Sequence, residues 1–220
     1  MSGFLSSSIG KKLIMSLSGL FLVAFLCVHL TINLMLFWGP ETYNAAAGFM
    51  SSNPVMKVLE PILGLGFVFH ILYSVILYFK NLAARPVRYA KVDQKNASSW
   101  SSRNMIWLGV AVLAFLVVHL LNYFYKIKFT DLIESGEMDE YSLVVSHFTA
   151  AFWYYVAIYV IGIIALGLHL LHAFQSAFQT LGLNNKYWEL RWKVIGYIYT
   201  IIITVGFCMI PVYFIIQDII

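Results

Sequence analysis

The sequence predicts an all-α integral membrane protein: one bundle of five transmembrane helices, N-terminus cytoplasmic and C-terminus outside. Three observations carry that expectation. Of the 220 residues, 61% are hydrophobic and 11% charged, where an average soluble chain has about a quarter charged. Lys, Arg, Asp and Glu are absent from Leu13–Pro40, Pro61–Phe79, Asn104–Tyr125, Tyr141–Asn185 and Val194–Gln217, each long enough for the roughly 20 apolar residues that cross a bilayer. The basic residues also fall mostly on one side of those stretches, as the positive-inside rule requires. A soluble fold and intrinsic disorder are both excluded by this composition. Fourteen basic residues give a formal charge of +4, but they are scattered and form no nucleic-acid footprint.

The first helix is expected at about 13–38, too long for a signal peptide and without a small-residue cleavage pattern. Helices two and three follow at about 58–80 and 103–125. The fourth stretch has 45 uncharged residues but no polar turn at its centre, so one long helix over about 146–179 is expected rather than two. The fifth is placed at about 194–217, and residues 1–220 form a single domain. With the N-terminus inside, inner segments hold Lys11, Lys12, Lys80, Arg85, Arg88, Lys91, Lys95, Arg103, Lys186, Arg191 and Lys193, and outer ones only Lys57, Lys126 and Lys128. Asn81–Ser102 reads as a solvated inner loop. Cys27 and Cys208 sit in apolar runs, where neither a disulfide nor a zinc site has support; both read as small buried hydrophobes.

Ionisable side chains inside a span cost a few kcal/mol and mark ligand sites, pathways or relays. The first four helices each carry a deep histidine: His29, His70, His119 and His169. Ala24–Leu30 and Ala114–Leu120 match at six of seven positions, so His29 and His119 are placed alike on helices that run the same way. Counting at 1.5 Å per residue puts both about 10–15 Å from the outer boundary, and puts His70 and His169 about 15–20 Å from the inner ends of their helices. Two pairs at two depths fit axial coordination of haem iron by two neutral imidazoles. Zinc or copper would gather its ligands at one level. No Cys-x-x-Cys-His is present, which leaves non-covalent haem b. Gly66 and Gly162 share a face with His70 and His169; they either leave room for a macrocycle or serve close helix packing.

The motifs Ser16-Leu17-Ser18-Gly19-Leu20-Phe21 with His29, Phe69-His70, Val118-His119 and His169-Leu170-Leu171-His172-Ala173-Phe174-Gln175-Ser176, closed by Gly182, resemble the cytochrome b membrane anchor of succinate dehydrogenase and fumarate reductase. The likeness is to the single-subunit, five-helix, two-haem type that works with menaquinone, and it covers nearly the whole chain. It implies haem b iron between His70 and His169 on the inner side and between His29 and His119 on the outer side, with His169 rather than His172 as ligand. It further implies a bacterial inner membrane, an FAD-containing flavoprotein where succinate and fumarate interconvert, and an iron–sulfur subunit. Both partners would dock on the inner basic face of Lys11, Lys12 and the loop 80–103, and a dimer of the complex is permitted. Some family members carry a glutamate two residues before the fourth ligand as a proton carrier; here that position is Gly167, which has no carboxyl group.

Quinone reduction consumes two electrons and two protons, so its site needs a protonatable group near a haem edge. The outer end offers Asn33, Trp38 and Glu60, the last either as a quinone-linked proton acceptor or as a helix-start carboxylate favoured by the dipole. The inner end offers Trp100, His172, Gln175 and Gln179. Ser16, Lys12, Arg103 and His172 are candidate partners for haem propionates, with ordinary positive-inside anchoring as the alternative for the two basic residues. His147, at the outer margin, is assigned no role. Other functional readings are the cytochrome b of another quinone-linked dehydrogenase or hydrogenase, and a histidine-relay transporter.

Overall fold

The computed structural model describes residues 7–84 and 99–220. Among these, five helices are long and apolar enough to cross a membrane: span 1 (Ile9–Trp38), span 2 (Pro54–Ala83), span 3 (Met105–Phe129), span 4 (Ala150–Thr180) and span 5 (Glu189–Ile219). Spans 1, 3 and 5 run towards one end of the bundle and spans 2 and 4 return from it. The end where span 5 finishes is called the C-terminal end below; it is the one expected to face outwards.

The span boundaries differ from the expected ones where the connections have structure of their own. Helix 8–34 begins earlier than expected because the Ser7 hydroxyl accepts from the Gly10 amide at 3.0 Å, an N-cap. The first connection holds a helix at Pro40–Ser52, with Pro40 at its start and Glu41 in its first turn. Asn53 ends that helix and caps span 2 by accepting from the Val55 amide at 2.9 Å. The expected start of the fourth helix near 146 is corrected: Glu140–Val145 is a separate helix, and the continuous α-helix runs over Trp153–Thr180. The physical reason lies at residues 146–150, where the chain turns tightly and the Ala150 amide donates to the Asp218 carboxylate at 2.7 Å. An amide at the start of span 4 is thereby satisfied from the end of span 5, at a place where a helix N-terminus favours negative charge. Gly182, with φ 73°, closes span 4. Residues 85–98 of the expected inner loop lie outside the described residues.

Span 4 is the hub, packed against spans 1, 3 and 5, and span 1 also packs against spans 2 and 5. Spans 1 to 4 therefore form a four-sided ring in chain order with three packed sides. The fourth side, between spans 2 and 3, is bridged at the C-terminal end by Lys128 Nζ and Glu60 Oε2 at 2.8 Å. Spans 1 and 3, and spans 2 and 4, are diagonal partners. Lipid tails remove most of the hydrophobic drive between helices, so close approach depends on small residues. Gly167 packs directly on Thr204, Gly196 on Phe174 and Gly206 on Leu30, which brings span 5 against spans 4 and 1. At the C-terminal end Leu36, Phe148, Tyr159, Ile163, Ile210 and Phe214 form the largest buried cluster. The first two connections on that side also touch, the Tyr141 amide donating to the Asn44 side chain at 2.9 Å.

Span 2 is the exception, with no buried residue along its length. Cys27 also departs from expectation: it is exposed and free, and Cys208 is half-buried and free. In a span, the exposed face meets lipid, where a thiol is as well accommodated as in a core.

Candidate functional site

The histidines occupy the diagonals of the ring. His29 on span 1 and His119 on span 3 have ring centres 5.7 Å apart with planes at 84°. His70 on span 2 and His169 on span 4 have ring centres 6.5 Å apart with planes at 68°. Two imidazoles that each bind one metal through a nitrogen at about 2 Å have ring centres roughly 6 Å apart. Both pairs lie near that separation. Neither diagonal pair of spans is among the closely packed ones, so at each level the rings reach across the middle of the ring.

Among the described residues no group of three or more His, Cys, Asp or Glu converges. Each pair offers two imidazoles, the number that a macrocycle bringing its own four equatorial nitrogens asks of the protein. The donors fit that demand. Ser18 Oγ donates its one proton to the Met15 carbonyl at 3.0 Å and lies 3.3 Å from His70 Nδ1. With the hydroxyl proton committed, the second contact runs from His70 Nδ1–H to Ser18 Oγ, which leaves Nε2 unprotonated with a free lone pair. On the other pair, Asn33 Nδ2 donates to the His29 carbonyl at 2.8 Å and lies 3.4 Å from His29 Nδ1. His119 Nδ1 and His169 Nδ1 are buried with no hydrogen-bond partner, a costly state for polar atoms in apolar surroundings.

The rings are framed by aromatic and small residues. Phe25 stacks on His29 at 5.1 Å and Phe207 lies 5.4 Å from it. Phe115 and Tyr123, one turn before and after His119, lie 5.9 and 5.3 Å away. A Cβ added at Gly19 would sit 3.4 Å from His70 Cε1, and one at Gly109 3.8 Å from His169 Cε1. Gly66 and Gly162 instead face the rings of Phe21 and Phe115 so closely that a methyl group would overlap them; of their two readings, close packing is the one observed.

The remaining candidates are spread over both ends. Ser16 is buried on span 1, while Lys12 and Arg103 are exposed at the N-terminal end. His172 is half-buried one turn after His169. Glu60 is paired with Lys128 at the C-terminal end, and Trp38 and Trp100 are exposed at opposite ends. Gly167 meets Thr204 of span 5 rather than either histidine pair, so a side chain there would point into a helix interface. Of the expected docking face, Lys11, Lys12, Lys80 and Arg103 are among the described residues, and Arg85, Arg88, Lys91 and Lys95 lie outside them.

Two features escaped the sequence. Ser18 lies within a motif, and its partner is 52 residues away, beyond any local spacing rule. The other is a polar cluster next to His119. Leu120–Phe124 is a π-helical turn, a widening often found at functional sites. It carries Asn122, whose Nδ2 donates to Tyr159 at 3.2 Å, and Tyr123, which lies 5.3 Å from the His147 ring. His147 is 5% exposed; its Nδ1–H donates to the Leu143 carbonyl at 2.8 Å, so its Nε2 accepts from Lys126 Nζ at 3.3 Å. Burial pushes the His147 imidazole below its ordinary range, partly offset by the Leu143 bond and reinforced by Lys126. Tyr123 at four residues after His119 was the available signal.

Comparison of the chain with protein-family models, with curated proteins and with solved structures finds no match. The geometry of the two histidine pairs is thus the main guide to function.

Proposed function

We propose that the chain is the membrane anchor and electron-transfer subunit of a succinate:menaquinone oxidoreductase, holding two haem b groups between an iron–sulfur subunit and membrane quinone. The observation that carries the reading is the placing of four histidines as two facing pairs on the diagonals of the bundle, with ring centres 5.7 and 6.5 Å apart. The motif resemblance supplies the particular complex, its flavoprotein and iron–sulfur partners and the bacterial inner membrane.

In this reading His70 and His169 hold the haem nearer the cytoplasm and His29 and His119 the one nearer the outside. When bound, haem iron supplies reversible one-electron transfer, which no side chain here provides. The protein's own contributions are ligation, orientation and exclusion of water. Ser18 fixes the tautomer of His70 as an outer-shell partner of the kind that orients metal-binding imidazoles. Phe25, Phe115 and Phe207 keep water from the outer pair. Glu60, in reach of the aqueous boundary and paired with Lys128, would accept a proton at the quinone site. The exposed inner cations, Lys12 and Lys80 among them, would receive the partner subunits.

A reduced-minus-oxidised spectrum of the purified protein, with a pyridine haemochrome count, tests the reading. Two haem b per chain are expected, and His70→Leu should retain one. A colourless protein with a normal far-ultraviolet helix signal would overturn it and leave the histidine-relay transporter, which requires no visible absorbance. Co-purifying subunits separate the succinate complex from other quinone-linked cytochromes b.

A further inference from the structure

The turn that joins spans 4 and 5 has no part in the roles assigned so far, yet its shape is fixed by specific contacts. Gly182, with φ 73°, ends span 4. The Asn185 side chain accepts from the amides of Tyr187 and Trp188 at 3.0 and 3.1 Å, an Asx turn that leads into span 5. Trp192 Nε1 donates to the Leu183 carbonyl at 3.1 Å. The Trp192 ring stacks on Phe178 of span 4 at 3.9 Å and on Trp188 at 5.3 Å. Arg191 lies over Trp188, its guanidinium carbon 5.2 Å from the ring centre.

Cations surround this stack. Lys186, Arg191 and Lys193 are exposed, and among the described residues none of the three has an ion-pair or hydrogen-bond partner for its side chain. Glu189 is the one acidic residue at this end of the bundle among the described ones. A guanidinium that rests on a ring by its face keeps its N–H edges for an anion. Apolar surface adjoins the charge: Tyr187 is 80% exposed, and Ile195, Ile198 and Ile202 continue the Arg191 face of span 5 at steps of four, three and four residues, all of them exposed. An acidic peptide or a soluble polyanion would match the cations and leave the isoleucine stripe uncovered. An amphiphile carries an anionic head and an apolar chain in the order in which this face presents its partners. Tyr and Trp beside Lys and Arg at the end of a span also mark the headgroup level, where basic residues attract anionic lipid.

We propose that the turn between spans 4 and 5 is a binding site for an anionic phospholipid, with its phosphodiester held by Lys186, Arg191 and Lys193 and an acyl chain lying along Ile195, Ile198 and Ile202. The stack of Phe178, Trp192 and Trp188 places Arg191 before the lipid arrives, which lowers the ordering cost of binding. The site makes no use of the histidine pairs, and it is separate from Lys12 and Lys80, which are assigned to partner subunits.

The test offers the full-length protein in detergent equal amounts of phosphatidylglycerol and phosphatidylcholine with the same acyl chains, and counts retained lipid by native mass spectrometry. A preference for phosphatidylglycerol of at least about tenfold is expected. Lys186→Gln, Arg191→Gln and Lys193→Gln together should bring it close to parity. Lys11→Gln, Lys12→Gln and Lys80→Gln, which remove the same charge from the same end, should leave it in place. Inorganic phosphate has the head without the chain and should not displace the lipid; displacement would overturn the assignment to a phospholipid. An unsubstituted protein that retains both lipids alike would also overturn it, and that arm needs no variant to fold. So would a variant of the turn that keeps the preference, and loss of a co-purifying subunit from that variant would assign the turn to protein docking instead.

Discussion

Ser18 and His70 form a hydrogen bond whose direction is set by a third group: the serine hydroxyl gives its proton to the Met15 carbonyl, so the imidazole Nδ1 must be the donor across the 3.3 Å contact. The consequence is a defined tautomer on the one span that packs least against the bundle. Span 2 contributes no buried residue, and its histidine is nevertheless aimed at span 4. In a helix with little packing to orient it, a side-chain bond to span 1 takes over that task.

If the two pairs hold haem as proposed, Ser18→Ala should weaken the inner site while leaving the outer one intact. Outer-shell losses typically cost about 10–100-fold in affinity for the bound metal. The expected result is faster loss of one haem during purification, read from the pyridine haemochrome count. Ser18→Thr, which keeps the hydroxyl, should restore two. Unchanged haem retention in the alanine variant would show that the contact does not orient the ligand.

The interface of spans 4 and 5 gives a stability prediction that needs no cofactor. Gly167 lies so close to Thr204 that even a methyl group would overlap it. Overpacking of this kind costs about 1–3 kcal/mol. Gly167→Val should lower the thermal midpoint of the detergent-solubilised protein, and Thr204→Ala in the same chain should recover part of the loss, since it removes the atoms that the new side chain meets.

Much of this architecture was legible in advance because a span is defined by what it lacks: twenty residues without a charge announce themselves, and a fixed rise per residue turns position into depth. His29 and His119 could be set at one level and His70 and His169 at another before any packing was known. What could not be read depends on contacts between distant parts of the chain. The late start of span 4 follows from Asp218 reaching Ala150, 68 residues away. The roles of Gly66 and Gly162 depended on which ring lay opposite. Tyr123, Tyr159 and His147 come from different elements, and only the π-helical turn after His119 gathers them.

Glu60 and Lys128 close the open side of the ring with an ion pair whose side chains are 41% and 36% exposed. A pair so accessible to water contributes roughly 0–1 kcal/mol. Lys128→Ala should leave thermal stability within that range. If Glu60 also receives quinone-linked protons, Glu60→Gln should abolish quinone reduction in the assembled complex with equally little effect on stability. Equal activity in the glutamine variant would return Glu60 to a purely structural role.

His147 makes the pH prediction. Its imidazole is neutral in the fold, held between the Leu143 carbonyl and Lys126, and its pKa is lowered, first by burial and then by the lysine charge. A histidine with a depressed folded pKa binds a proton more readily when unfolded, so stability rises with pH. The contribution is complete above the unfolded value of about 6.5 and is lost as pH falls from there towards the lower folded value. Thermal midpoints from pH 8 to pH 5 should decline below about 6.5 in the unsubstituted protein. His147→Gln keeps a donor and an acceptor near Leu143 and Lys126 but cannot titrate, so its midpoint should be flatter over the same interval. If the two curves run parallel, His147 is not the group that titrates.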